Sequence, residues 1–207
     1  MIREQAINTF LDQLAAKSST PGGGSAAAIM GAMGAALASM VSVFTVGKQG
    51  YEDVDAEMRS LLERSEDLRR RLTDTIEQDV EAFDRVMAAY RMPKGTDDEK
   101  AARTEAIQAA LKQAADVPLA CAGLCREVLD LCLPVARGGN TMVISDAGVA
   151  VLAAEAALRS AALNVWVNLA SIRDEAFVAE RRSRLDALLA GSRERTEEVY
   201  QLVRGKL

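Results

Sequence analysis

The side chain in this sequence best placed for acid–base chemistry is the carboxylate of Asp79. It falls within a series of apolar residues spaced three or four apart, at a position where the spacing predicts a side chain facing a helical core. A buried carboxylate loses hydration, which raises its pKa toward the range useful for moving protons. The alternative is that Val80 faces the core and Asp79 lies at its rim, and the pattern favours neither.

A glycine-rich segment, Pro21-Gly22-Gly23-Gly24-Ser25, precedes a long small-residue segment. Backbone N–H groups of glycines at a helix start can converge on an anionic or polar ligand. Ser25 is placed either to cap that helix or to contact a substrate. The spacing matches neither the dinucleotide-binding glycine pattern nor the P-loop, so by itself the segment is better interpreted as a turn with a serine cap.

Four further polar residues have a structural and a functional interpretation. Lys48 follows the long uncharged segment, where a cation favours a helix C-terminus, and Asp146 begins a later helix, where a carboxylate is an ordinary cap. Asn164 and Asn168 lie four residues apart in an apolar helix, and buried amides need partners. Their amides could bind the edge of a heterocycle or link helices, and the second interpretation is favoured.

Composition excludes several function classes. The chain of 207 residues has no histidine, which removes Ser-His-Asp and Cys-His triads and histidine-based zinc sites. The formal net charge of -5 argues against a nucleic-acid-binding protein. Its three cysteines, Cys121, Cys125 and Cys132, lie in a Leu/Val-rich stretch and are expected to be buried reduced thiols, so no metal site is predicted.

The elements that must position these residues are predicted to be helices. Apolar residues make up 49% of the chain and aromatic residues only 4%, which favours helices packed through Ala, Leu and Val. We expect an all-α, single-domain multihelical bundle over residues 1–207, with long central helices and no strands. Seven helices are predicted, at about 2–17, 25–47, 54–90, 96–117, 118–134, 145–172 and 174–204.

The second predicted helix has no charged residue from Ala26 to Gly47, a length that could span a bilayer. Because it is rich in Ala, Gly and Ser, we interpret it as the central helix of a soluble bundle. Within it, Ala27, Gly31, Ala35 and Ser39 form a ridge of small residues that lets another helix approach closely. The polar N-terminus does not resemble a signal peptide, so a cytoplasmic protein is expected.

Three blocks of the sequence, taken together, resemble the cyclodeaminase/cyclohydrolase family. The first is FLDQLAAKSSTPGGGSAAAIMGAMGAALASMVSVFTVGK, the second DVEAFDRVMAAYRMPKGT and the third GGNTMVISDAGVAVLAAEAALRSAALNVWVNL. The three blocks span most of the chain, from Phe10 to about Asp174, and their order and spacing make the resemblance specific. The resemblance implies an all-helical domain, a homodimer, and a tetrahydrofolate site near the subunit interface.

The resemblance also implies which residues form that site. Substrate-binding residues would be Gly23, Gly24, Ser25 and Asn140. We include Asn164 as a further candidate because its amide lies in an apolar helix. The candidate catalytic residues would be Lys48, Asp79 and Asp146. Either carboxylate could be the base and balance the substrate's positive charge, while Lys48 could stabilise an oxyanion or relay a proton.

The implied activity is hydrolysis of 5,10-methenyltetrahydrofolate to 10-formyltetrahydrofolate, with no metal or other cofactor. A formiminotetrahydrofolate cyclodeaminase that releases ammonia would use the same residues, so it remains an alternative. A non-catalytic helical interaction module is a second alternative, and it predicts no folate binding.

Overall fold

The computed structural model describes residues 2–207, apart from the side chain of Arg3; Met1, part of the predicted domain, lies outside the described residues. Within this range the regular structure is entirely helical, with no strand, which confirms the all-α prediction. The seven α-helices are α1 (Ile7–Ala15), α2 (Gly23–Val43), α3 (Asp55–Tyr90), α4 (Asp97–Gly138), α5 (Ile144–Leu169), α6 (Glu175–Leu189) and α7 (Ser192–Arg204). Three short 3-10 turns lie at Ile2–Glu4, Glu52–Val54 and Thr141–Val143.

Helix α2 packs against α3, α4 and α5. The Oγ atoms of Ser39 and Ser65 lie 2.8 Å apart in the buried contact between α2 and α3. At the C-terminal end of α2, the Thr45 hydroxyl accepts a hydrogen bond from the backbone N–H of Asn140, just before α5. These contacts set α3 and α5 antiparallel to α2, so the start of α2 lies beside the ends of α3 and α5.

The predicted small-residue ridge on α2 is confirmed: Ala27, Gly31, Ala35 and Ser39 are all buried. A Cβ on Gly31 would lie 2.8 Å from the Cys125 sulfur of α4. Close helix packing of this kind is possible only where side chains are absent or very small. The ridge therefore brings α2 close to its neighbours, and the three buried cysteines are free, as expected.

The prediction that Pro118 separates two helices is wrong, because α4 runs without a break from Asp97 to Gly138. Proline cannot donate to the carbonyl four residues earlier, which here is Ala114. Asn168 of α5 supplies the missing donor: its Nδ2 lies 2.9 Å from the Ala114 oxygen. A side chain from another helix thus satisfies the carbonyl that the proline leaves free.

The predicted single helix over residues 174–204 is also wrong. Gly191 has a left-handed backbone conformation with φ of 67° and separates α6 from α7. The turn lets α7 fold back onto the bundle, where Val203 packs 3.2 Å from the position that a Cβ on Gly148 would occupy. The first helix is shorter than predicted and buries only Phe10.

Two helical segments, Gly23–Val43 and Thr141–Leu169, are long and apolar enough to cross a membrane by length and composition alone. Their mean hydropathies are 1.8 and 1.6, and 50% and 44% of the most apolar windows are buried inside the fold. Each of these helices therefore buries one face and leaves apolar side chains on the other. The predicted absence of membrane association stays a prediction.

Candidate active site

A cleft of about 270 Å³ opens at the N-terminal end of α2, between α2, α3, α4 and α5. We call it the glycine cleft. It is lined by Ser19, Thr20, Gly22, Gly23, Gly24, Asp79, Ala82, Phe83, Val86, Ala114, Asn164, Val167 and Asn168. The cleft thus combines a carboxylate, two amides and backbone groups of the glycine segment with an apolar wall.

Asp79 lies beside the N-terminal end of α2, where its carboxylate takes the place of a side-chain cap. The N-cap residue, Gly22, has no side chain to accept a hydrogen bond. Asp79 Oδ2 accepts a hydrogen bond of 3.1 Å from the Ser25 hydroxyl, and the backbone N–H of Ser25 also donates to the carboxylate. Asp79 is half-buried, as is Val80, so both side chains lie between the core and solvent.

Gly24 is required by the close approach of this carboxylate to the helix. A Cβ on Gly24 would lie 2.2 Å from Asp79 Oδ1, far inside van der Waals contact. Burial raises the pKa of Asp79 above its ordinary value, and the two hydrogen bonds from Ser25 offset part of that rise. The site therefore holds a half-buried carboxyl group with a raised pKa, fixed by a neighbouring serine, which makes it a candidate acid–base group.

Ser25 itself is fully buried and does not line the glycine cleft. The sequence predicted that Ser25 either caps α2 or contacts a substrate. In the structure its side chain neither caps α2 nor lines the cleft, and its hydroxyl donates to Asp79 instead. Gly23 lies against Asn164, whose amide atoms lie 3.5 Å from the position of an added Cβ. The structure therefore brings together five of the predicted residues: Gly23, Gly24, Ser25, Asp79 and Asn164.

The other three predicted residues lie at the opposite end of α2. Lys48 Nζ lies 3.9 Å from the Met142 sulfur and 5.7 Å from the centre of the Tyr51 ring. Asn140 is buried, and its Nδ2 donates to the Phe44 carbonyl over 2.9 Å. Its amide therefore satisfies a carbonyl at the C-terminal end of α2. Asp146 lies in the first turn of α5.

The length of α2 keeps these two groups of residues apart. From Ser25 to Phe44 the helix rises roughly 30 Å at 1.5 Å per residue. Within one chain, Lys48 is therefore far from Asp79, and the single site predicted from the sequence is divided between two ends of the bundle. Asp146 lies with Lys48 and not with Asp79.

Sequence reasoning did not select two residues that the structure places in these clusters. Phe83 lines the glycine cleft one helical turn after Asp79, and its half-exposed ring breaks the buried apolar series. Tyr51 accepts a hydrogen bond of 3.1 Å from the backbone N–H of Thr141, and its contacts with Thr141 lower the pKa of the phenol, with a smaller contribution from Lys48. The sequence signal that could have identified Tyr51 is its position three residues after the candidate Lys48.

Metal ligands do not converge in the part of the chain that the structure describes, where no three acidic or cysteine side chains form a group able to hold an ion. The carboxylate of Asp79 has Ser25 and the start of α2 as its partners. The expectation of a reaction without metal or other cofactor stays a prediction.

Similarity to known proteins extends over most of the chain. The sequence model described as formiminotransferase-cyclodeaminase matches residues 6–187, most of the chain. The chain belongs to this family. A methenyltetrahydrofolate cyclohydrolase of Methylorubrum extorquens is 58% identical over 207 residues, which cover 100% of both proteins. The family assignment confirms the resemblance seen in the sequence.

Two other members of the formiminotransferase-cyclodeaminase family show how far the similarity extends. A formimidoyltransferase-cyclodeaminase of Sus scrofa is 38% identical over 88% of this chain but only 34% of its own length. The crystal structure of a formiminotetrahydrofolate cyclodeaminase from Thermotoga maritima superimposes with a TM-score of 0.81, at 34% identity over 100% of this chain and 98% of that one. The fold is thus the helical fold of the family.

Proposed function

We propose that this protein is a methenyltetrahydrofolate cyclohydrolase, which converts 5,10-methenyltetrahydrofolate to 10-formyltetrahydrofolate in one-carbon metabolism. The full-length similarity to the Methylorubrum enzyme supports the reaction. The observation that carries the mechanism is the environment of Asp79: a carboxyl group with a raised pKa, fixed by Ser25 at the wall of a cleft. Both the charge and the basicity of this group suit a cationic substrate attacked by water.

The chemistry needs one water molecule and a base. The bridging carbon of the substrate belongs to an amidinium cation and is electrophilic. Asp79 removes a proton as the water oxygen bonds to that carbon, and its negative charge stabilises the cation before attack. The bond from the carbon to ring nitrogen N5 then breaks, N5 takes up a proton, and the carbon remains on N10 as a formyl group. One proton is released overall, so atoms and charge balance.

A second activity, cyclodeamination of formiminotetrahydrofolate, is favoured by the similarity to the Thermotoga structure. There a ring nitrogen would attack the formimino carbon and ammonia would leave, with Asp79 again moving the proton. Methenyltetrahydrofolate absorbs near-ultraviolet light and its hydrolysis product does not. Loss of that absorbance faster than spontaneous hydrolysis tests the first reaction, and ammonia release tests the second.

We expect enzyme-dependent hydrolysis and little ammonia. Ammonia release without faster hydrolysis would assign the cyclodeaminase activity instead. Absence of both activities in folded protein would contradict both enzyme assignments and favour a helical interaction module. We also expect action on a soluble folate in the cytoplasm, with no nucleic-acid or membrane partner.

The proposed functional unit is a homodimer formed through the exposed apolar side of α2 and α5. We call this side the apolar face. It consists of Met33, Val43, Phe44, Val149, Leu152, Leu163 and Val167, each at least 45% exposed. Large exposed apolar side chains on two neighbouring helices are typical of an obligate interface, and Val167 also lines the glycine cleft, so the interface would adjoin the site.

A two-fold axis perpendicular to α2 would pair the helices of two subunits in opposite directions. The N-terminal end of α2 in one subunit would then lie beside the C-terminal end in the other. This arrangement would bring Lys48 of the partner subunit toward Asp79 and restore the single site predicted from the sequence. Sedimentation equilibrium tests the dimer: wild-type protein should be dimeric at micromolar concentration, and Leu152→Glu should shift it to monomer. A stable wild-type monomer would contradict the proposal.

A further inference from the structure

The amide of Asn168 has a fixed orientation in the wall of the glycine cleft. Its Nδ2 donates to two backbone carbonyls, that of Ala114 at 2.9 Å and that of Asn164 at 3.0 Å. Both amide hydrogens are therefore used inside the protein. The carbonyl Oδ1 is left as an acceptor that cannot exchange places with the nitrogen.

Asn164, one helical turn earlier, uses one of its two amide hydrogens inside the protein. Its Nδ2 donates to the Ser160 carbonyl at 2.9 Å, and its side chain lies against Gly23. In the described chain no hydrogen bond ends on either Oδ1 atom. The cleft therefore presents three acceptors, the two amide oxygens on α5 and the carboxylate of Asp79 on α3, together with one remaining N–H of Asn164.

A ligand that fits this wall must offer two N–H donors at a matching separation. Side chains four residues apart on a helix have Cβ atoms about 5–6 Å apart. An amino group that donates both hydrogens over bonds of about 2.9 Å places its two acceptors roughly 5 Å apart. A planar primary amine on a heterocycle therefore matches the spacing, while Phe83 and Val167 supply an apolar surface for the ring.

We infer that Asn164 and Asn168 determine specificity by accepting the two hydrogens of the 2-amino group on the pterin ring. The inference rests on the proposed folate substrate. The contact would leave the opposite end of the ring system, which carries the reactive carbon, to Asp79 across the cleft. A site that presents two amide oxygens to the amino group rejects an analogue that lacks that donor, because the two oxygens would be left unpaired.

The test must separate binding by Asn168 Oδ1 from the structural bond of its Nδ2 to Ala114. The Pro118→Ala variant does so, because the new N–H at position 118 can donate to Ala114 and take over that bond. Asn168→Ala is then made in the Pro118→Ala background, where it should keep the unfolding temperature of that background. Asn164→Ala is the second variant, and its only lost bond within the protein is to a carbonyl already in the helix ladder.

Steady-state kinetics are measured with 5,10-methenyltetrahydrofolate and with its 2-desamino analogue. We expect each alanine substitution to raise KM for the normal substrate about 3- to 10-fold, the value of one neutral hydrogen bond, with little change in kcat. With the analogue, the variants and their backgrounds should have the same KM. Equal losses for both compounds, or no loss for either, would overturn the inference. A wild-type enzyme inactive toward the normal substrate would instead overturn the proposed function.

Discussion

Gly24 and Asp79 approach so closely that position 24 has no space for a side chain. A Cβ on Gly24 would lie 2.2 Å from Asp79 Oδ1 and 2.5 Å from its carboxyl carbon. The backbone at the start of α2 therefore approaches the side chain from α3 directly. This contact links the glycine segment, which by spacing alone indicated only a turn, to the group that we propose as the base.

Substitution of Gly24 by alanine should displace the Asp79 carboxylate and weaken its hydrogen bonds with Ser25. Because a misplacement of about 1 Å can cost about 100-fold in rate, we expect kcat to fall by that order while the helical circular dichroism is kept. Gly123→Ala is the matched control, since nothing lies within 4 Å of its added Cβ. Wild-type kcat in Gly24→Ala would contradict the requirement for this contact.

Replacement of Asp79 by asparagine should separate catalysis from folding. Loss of an acid–base group typically reduces the rate about 10²- to 10⁴-fold. Because burial raises the pKa of Asp79 in the folded state, the native protein binds more protons than the unfolded chain between the ordinary pKa and the raised one. The free energy of unfolding therefore falls as pH rises through that window.

The Asp79→Asn variant lacks this titration. Denaturant unfolding below and above the window should show the variant gaining stability relative to wild type as pH rises. A variant that keeps near wild-type turnover would show that Asp79 is not catalytic, and Asp146 would become the better candidate. A variant that unfolds at every pH would show that the carboxylate serves the fold.

Ser25→Ala should change the pH dependence of the reaction. The two hydrogen bonds from Ser25 lower the pKa of Asp79, and the substitution removes the one from the hydroxyl. The pKa should therefore rise, which moves the acidic limb of the kcat/KM profile to higher pH. Ser25→Thr retains the hydroxyl and serves as the control. An unchanged acidic limb in Ser25→Ala, with altered rate only, would mean that Ser25 does not act through Asp79.

Mixing two inactive variants tests whether Lys48 and Asp79 act across the proposed dimer. Lys48→Met removes the ammonium and Asp79→Asn removes the base. After joint refolding, half of the dimers should contain one subunit of each kind. If the site is shared between subunits, one of the two sites in each mixed dimer is intact, and about one quarter of wild-type activity should return. No recovery in verified mixed dimers would contradict a shared site.

Gly31→Leu tests the packing of α2. An added Cβ already lies 2.8 Å from the Cys125 sulfur and 3.1 Å from Leu72, so a leucine has no space. Overpacking of this kind typically costs ~1–3 kcal/mol of unfolding free energy. Denaturant melts of Gly31→Leu and of Gly123→Ala, the open-space control in α4, make the comparison. Equal stability would contradict close packing at this position.

The sequence was sufficient for the helical fold and for much of the glycine cleft. Helix faces follow from local periodicity, so the buried ridge of α2 and the buried apolar residues of α3 that precede Asp79 could be predicted from spacing alone. The absence of histidine left carboxylates as the main candidates for acid–base chemistry. These features depend on residue type and on neighbours within a few helical turns.

Other features depended on contacts between residues far apart in the chain. Pro118 continues a helix because Asn168, 50 positions later, bonds to the Ala114 carbonyl that proline leaves free. The Ser25 hydroxyl donates to Asp79 because α3 runs antiparallel to α2, which places the two residues side by side. Lys48 lies away from Asp79 because α2 is a rigid rod roughly 30 Å long between them. Periodicity specifies which face of a helix is buried, but only tertiary packing decides which helix covers that face and which polar groups meet there.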